Sequence, residues 1–474
     1  MALDAGKYAT LGAMELAAMV RSGETNATEL VRCALDAIAA TDGKLNAWSE
    51  LFPEAALARA AALDAEAGRG RFAGPLHGVP MGVKDLFQVA GTCTRRGSRL
   101  YENDLARDTA PAVERMLAAG AIMVGKTTTP ELGWKASSNS PLYGVTRNPW
   151  DPSRTTGGSS SGSGAAVAAG AVPIALGGDG GGSLRVPASF CGIFSLKPHL
   201  GRIPTWPLSP AEQLSCAGPM TRGVADYALA LDVLQGPDTR DPNSLPAGCV
   251  SYLATLEARG RLRCALAPTL FGQHIEADVA AVVEAAFDRI RSMPGIEAVP
   301  ARLDWPDPIA IFDALWVARA SLYKDLAPEK KALLDPGFAR QVDLASHIPV
   351  EDHLKALKAR AQFCRTVAES FRDFDLLLLP TVAIEPFAAE ADGPMGMDDA
   401  LPVPWARWTP FSHPFNVTRQ PAASAPCGWT RSGLPVGLQV VGARFDEQRV
   451  LQFCAAWEKT FDRGRRRPLV FAGA

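Results

Sequence analysis

No two of the nine cysteines stand in a CxxC pair, no window approaches 18 uninterrupted apolar residues, and the formal net charge is only −2 over 474 residues. Each shortage excludes something. Scattered, odd-numbered cysteines argue for reduced thiols in a cytoplasmic protein and against a disulfide framework or a structural zinc site, so no metal is expected. Without a long apolar run there is no candidate membrane span. A near-neutral balance supplies no general attraction for nucleic acid, and the basic run Arg463-Gly464-Arg465-Arg466-Arg467 reads as a solvated tail. The opening MALDAGKYATLGAMELAAMV lacks a basic start followed by an apolar stretch, so no secretory signal is expected. Two sequons, at Asn26 and Asn416, carry no meaning without export. Internal repeats and low-complexity tracts are absent.

What the chain has in quantity is glycine and serine between residues 155 and 198. Two clusters stand out, Gly157-Gly158-Ser159-Ser160-Ser161-Gly162 and Gly177-Gly178-Asp179-Gly180-Gly181-Gly182-Ser183. Between them lie a small-residue helix over 164–171 and an apolar strand over 172–176; a second helix is expected to begin near Ser183. Glycines allow close approach of backbone to a ligand, and a loop leaving the carboxyl end of a strand is where open α/β sheets bind ligands. Ser183, preceded by three glycines, sits among amides able to receive an oxyanion. The same serine is also a good helix N-cap, which is the structural alternative.

Elsewhere the pattern predicts two helices within 10–40, the second starting at Thr25 or Thr28, and an alanine-rich helix over 53–67. A strand is expected over 79–86, with Val79, Met81 and Val83 on one face and Gly82 and Lys84 on the other. Lys84 either snorkels to solvent or is buried among small residues, where desolvation would make it a base. The local pattern taken alone favours the first. Further helices are expected at 110–119, 223–235 and 446–461, strands at 121–124, 263–267, 375–381 and 433–442, and mostly helix up to about residue 372. Helices alternating with apolar strands predict a large α/β sheet, mixed but mostly parallel, twisted and covered by helices on both faces.

Two motif matches fail on context. GAIMVGKT, residues 120–127, fits the nucleotide phosphate loop letter for letter, but its middle four residues are themselves the apolar strand. Gly158-Ser159-Ser160-Ser161-Gly162 fits the G-x-S-x-G elbow, yet NPWDPSRTT before it cannot form a central strand. No G-x-G-x-x-G is completed. Ser183 is therefore the better nucleophile candidate, while its base stays open: His77, His199 and His413 all lie beside loops able to approach it.

The chain resembles the amidase signature family. GGSSSGSG (157–164) resembles GGSSGGS, GGDGGGSLRVPA (177–188) resembles GTDTGGSIRxPA, and CGIFSLKPHLGRIP (191–204) resembles CGxxGLKPTxGRxS. Residues 78–86 resemble the lysine-bearing GVPxxxKD segment, residues 124–131 the VGKTNxPE segment, and residues 414–439 the family's ending. The resemblance implies Ser183 as nucleophile, Ser159 as a bridging serine on a cis peptide, and Lys84 as general base. It implies an oxyanion hole from the amides of Gly180, Gly181, Gly182 and Ser183, with Asp179 and Arg185 holding that loop. Gly133 and Trp134 become candidate substrate contacts. Ser161, Gly178, Gly180 and Ser195 depart from the family pattern without removing any of these groups.

Length alone suggests two or three domains; the resemblance implies one, spanning 1–474. Its parts would be N-terminal helices (about 10–67), a signature core (about 74–235), a variable, specificity-setting helical segment (about 240–372) and a C-terminal sheet and helix part (about 373–474). The implied activity is hydrolysis of the C–N bond of a small linear carboxamide or an aryl or acyl amide, with esters as side substrates and no cofactor. The partner is then the small amide itself, with no nucleic acid or membrane and a homodimer as the assembly to test. The rivals are the glutaminase component of an aminoacyl-tRNA amidotransferase and a catalytically silent scaffold; the latter should lack one of the three side chains, and none is missing.

Overall fold

The computed structural model describes residues 3–211, 213–258, 260–460 and 468, so the basic run at 463–467 lies outside the described residues. Its centre is one sheet of eleven strands. In chain order these are β1 (Trp48–Leu51), β2 (Pro80–Lys84), β3 (Ile122–Thr127), β4 (Ile174–Asp179), β5 (Phe194–Lys197), β6 (Cys216–Thr221), β7 (Leu262–Leu266), β8 (Ile296–Pro300), β9 (Leu376–Pro380), β10 (Ala422–Trp429) and β11 (Pro435–Gly442). Their spatial order is β1-β3-β2-β4-β6-β5-β10-β11-β9-β7-β8.

The mixed sheet is as expected; the mostly parallel pairing is not. Four neighbouring pairs are parallel, β2–β3, β2–β4, β7–β8 and β7–β9, and the other six are antiparallel. The reason lies in three strands without an apolar run: β5, β6 and β10 carry Ser195, Lys197, Gly218, Pro219, Ser424 and Pro426. They insert in the middle of the sheet, and β10 and β11 are joined by a short turn that makes them antiparallel neighbours.

Both faces of the sheet are covered. Leu376 and Leu378 of β9 join one apolar cluster while Leu377 and Leu379 join another, the period-2 signature of a strand buried on both sides. In β2, Met81 and Val83 enter the first of these clusters together with Val79. Lys84 is thereby left on the opposite face, with Gly82.

Local capping differs in one place from the expected signal. The helix Ala27–Leu45 is capped by Asn26, whose side chain accepts from the Glu29 amide at 2.8 Å. Thr25 and Thr28 are occupied elsewhere, their hydroxyls donating to Glu29 Oε2 and Asp64 Oδ2 at 2.6 Å each. The helix Pro53–Ala67 forms as its alanine content predicts. Among the described residues no helix is long and apolar enough to cross a membrane.

The small-residue helix Ser161–Ala168 is buried along its whole length and packs against β4 and the helix Arg185–Cys191. A side chain on Gly162 would collide with the Ala47 carbonyl and the Thr128 amide. Only a helix this lean fits so close to the sheet, and it holds the first serine cluster beside the ends of β2 and β4.

Candidate active site

Lys84 is the last residue of β2, a strand buried throughout. Its side chain is 1% exposed, so it does not snorkel. The ammonium donates to Ser159 Oγ at 2.7 Å and to Ser160 Oγ at 3.1 Å. Burial pulls its pKa down to about 7, against the opposing pull of the Asp179 carboxylate. Such a lysine is half neutral near pH 7 and able to take a proton.

The first serine cluster meets Lys84 from the N-terminal end of the lean helix. The peptide between Gly158 and Ser159 is cis. Ser160 Oγ also donates to the Gly178 carbonyl (3.2 Å) and receives the Gly178 amide (3.3 Å), and the Ser160 amide donates to the Ser183 carbonyl at 3.3 Å. The two glycine-rich clusters are thus stitched together at the lysine.

Residues 180–184 form the turn between β4 and the helix Arg185–Cys191, whose N-cap position is Leu184 with no side-chain cap. Ser183 is not used as a cap. Below it, Asp179 and Arg185 are fully buried: Arg185 Nε donates to Oδ2 and Nη2 to Oδ1, both at 2.9 Å. Arg185 also reaches the Ser412 carbonyl and Gln439 Oε1 at 2.8 Å and Asn416 Oδ1 at 2.6 Å. Burial alone would raise Asp179, but the Arg185 guanidinium and the Asn416 amide override it and hold the carboxyl far below its usual range. Asp179 in turn accepts from the amides of Gly182 (2.8 Å) and Leu184 (3.2 Å). The Gly182 amide, expected to face an oxyanion, is therefore already engaged.

Lys84, Ser159, Gly180 and Ser183 open onto one cavity of about 360 Å³, which Leu132 and Gly133 also line. Trp134, expected beside Gly133 at the substrate, is turned away. Its ring packs on Gly337, and its carbonyl accepts from the indole N–H groups of Trp405 (2.8 Å) and Trp316 (3.2 Å). The candidate histidines are elsewhere. His77 accepts from the Ala73 amide, His199 bonds the Leu200 carbonyl, and His413 packs on Phe312; none of the three lines this cavity.

The phosphate-loop match is a strand. Gly125 and Lys126 lie inside β3, and Lys126 Nζ sits 3.0 Å from Asp85 Oδ1 and donates to the Cys93 carbonyl at 2.7 Å. Among the described residues no cluster of His, Cys, Asp or Glu could hold a metal ion. Sequence reasoning misses Ser160 as a partner of Lys84, because the elbow pattern presents it only as a rival nucleophile. It also misses Trp206, Trp316, Arg319 and Tyr323, which line the cavity from loops and from the variable helical segment, where no motif marks them.

Comparison with known proteins gives the same answer along nearly the whole chain. The Amidase family model matches residues 29–451. The A subunit of glutamyl-tRNA(Gln) amidotransferase from Chloroflexus aggregans is 35% identical, covering 97% of this chain and 98% of that protein. An acylamidase from Rhodococcus erythropolis is 33% identical over 94% and 95% of the two chains. Among solved structures, a 6-aminohexanoate cyclic dimer hydrolase superposes with a TM-score of 0.89 at 28% identity, covering 99% of this chain and 100% of that one. A bacterial aryl acylamidase superposes with a TM-score of 0.88 at 28% identity over 98% and 99%. With a matching family model, relatives of full length and a shared fold, this chain belongs to the amidase signature family of hydrolases.

Proposed function

We propose that the chain hydrolyses the C–N bond of a small amide through an acyl-enzyme on Ser183, with Lys84 as base and Ser159 as the relay between them. The observation that carries this reading is the 2.7 Å contact between Lys84 Nζ and Ser159 Oγ, made by a sealed lysine at the floor of the cavity that Ser183 lines. Neutral Lys84 takes the Ser159 proton as Ser159 takes the Ser183 proton, and Ser183 Oγ forms its bond to the acyl carbon. The protons then return along the same path to the departing nitrogen as the C–N bond breaks. Water attacks the resulting ester in the reverse sense and frees the acid.

With the Gly182 amide bound to Asp179, the amides of Gly180, Gly181 and Ser183 are left to receive the oxyanion. One such donor is typically worth about 3 kcal/mol. Aromatic side chains along the cavity, Phe87, Tyr101, Trp206 and Trp316 among them, suit an apolar acyl or aryl portion.

A second reading, a glutaminase component within an amidotransferase, is favoured by the full-length similarity to the Chloroflexus protein. Hydrolysis profiling of the purified chain over carboxamides, anilides, esters and glutamine separates the two. A free-standing amidase turns over anilides or carboxamides alone. An amidotransferase component prefers glutamine and depends on added partners.

A further inference from the structure

The cavity contains a cation with no counter-charge among the described residues. Arg319 opens the short turn Arg319–Tyr323 that follows the helix Ile309–Ala318, and its side chain lines the same cavity as Lys84, Ser159 and Ser183. Its Nε and Nη2 are sealed from solvent without a hydrogen-bond acceptor. The guanidinium stacks 4.1 Å from the centre of the Trp316 ring and 5.7 Å from that of Phe338, contacts that compensate only part of a buried charge. Burial pulls its pKa down to about 10, and the neighbour opposing that pull is the hydroxyl of Tyr323 rather than a carboxylate.

Arg185 is the opposite case, since that fully buried guanidinium has Asp179, Asn416, Gln439 and a carbonyl around it, whereas Arg319 is partly exposed and has none among the described residues. The other charges lining the cavity are engaged too. Arg96 holds Asp104 at 2.6 Å, and Asp179 holds Arg185. An unpaired buried cation is costly unless something supplies the missing charge. Arg319 is partly exposed and lines the cavity.

Its position relative to the chemistry is also set. A Cβ on Gly180 would stand 2.9 Å from Trp316 Cζ3, so one indole separates the Arg319 guanidinium from the glycine turn beside Ser183.

From the unpaired Arg319 guanidinium in the wall of the reactive cavity, we infer that the preferred substrate is an amide bearing a carboxylate a few bonds from its scissile carbonyl, and that Arg319 binds that carboxylate. This rests on the amidase reading and narrows its substrate class. A planar guanidinium matches a carboxylate with two parallel N–H···O bonds, which selects it over a neutral group of the same shape.

The test uses charged and neutral pairs: succinic, glutaric and adipic monoanilides and N-acetyl-4-aminobenzoate, each against the analogue lacking its carboxylate. kcat/KM is measured for wild type, Arg319→Met and Arg319→Lys, and calorimetric binding of the same compounds for Ser183→Ala with and without Arg319→Met. The expected result is that at least one charged member is favoured about tenfold or more. Arg319→Met removes that preference by lowering kcat/KM on the charged members more than on their neutral partners, and Arg319→Lys restores part of it. Equal losses on charged and neutral members would reduce Arg319 to a packing residue and overturn the inference, as would a wild-type preference for the neutral members. If no amide is hydrolysed but charged compounds bind Ser183→Ala through Arg319, the amidase reading falls and the carboxylate site stands. If amides are hydrolysed with no dependence on the carboxylate, the reverse holds.

Discussion

Arg185 grips Asp179 with two parallel bonds of 2.9 Å, and both side chains are wholly buried directly beneath the turn that carries Ser183. The pair reaches the turn through the Asp179 carboxylate, which takes the amides of Gly182 and Leu184. Removing one partner of such a pair strands the other charge, at a cost of about 3–5 kcal/mol. Asp179→Asn is therefore expected to lower the melting temperature and cut kcat by more than it changes KM. Thermal melts alongside steady-state kinetics check both; unchanged stability would mean that the pair does not hold the turn.

The pH profile follows from Lys84, whose pKa burial brings to about 7. A depressed lysine is protonated below its pKa and competent above it. kcat/KM should fall about tenfold per pH unit below that point and level off above it. Because the Asp179 charge favours the ammonium, Asp179→Asn should move the limb to lower pH, with residual activity enough to trace it. A limb that moves upward would contradict the assignment.

Ser160 is the second acceptor of the lysine and also ties down Gly178 at the end of β4. Ser160→Ala should cost about tenfold or more in kcat through a misplaced amine, with a serine-directed label still landing on Ser183. Full activity would make Ser160 a spectator.

Gly181 stands where a methyl group would meet Trp405 Cη2 at 2.5 Å and Phe312 Cζ at 2.8 Å. Neither ring is free to give, since Trp405 Nε1 is bonded to the Trp134 carbonyl and Phe312 stacks on Trp316. Gly181→Ala should displace the turn, abolish most of the activity and cost about 1–3 kcal/mol of stability, read from a denaturant titration. Wild-type kinetics in that variant would exclude the turn from the reaction.

Much of the site is legible in the sequence because chemistry and backbone demands coincide there. Gly157–Gly162 and Gly177–Ser183 advertise close approach, the strand before Ser183 distinguishes it from Ser160, and Gly125-Lys126 within an apolar strand rules out a phosphate loop. Lys84 is ambiguous because period-2 alternation names its face, not what covers that face; the lean helix and Ser159 do. Trp134 is misplaced because adjacency to Gly133 says nothing of side-chain direction: the backbone turns at Leu132, with φ of 52°, and at Gly133, with φ of 62°. Strands β5, β6 and β10 are illegible for want of an apolar run, and with them the antiparallel centre of the sheet. Arg319 carries no local signal, since its meaning comes from missing partners that only packing reveals.

The proton relay is measured most directly by the rate and position of labelling with a fluorophosphonate across pH, in wild type and in Lys84→Ala. A working relay predicts modification of Ser183, accelerating through about pH 7 and nearly lost in Lys84→Ala. A label on Ser160, or a rate on Ser183 indifferent to Lys84, would contradict it.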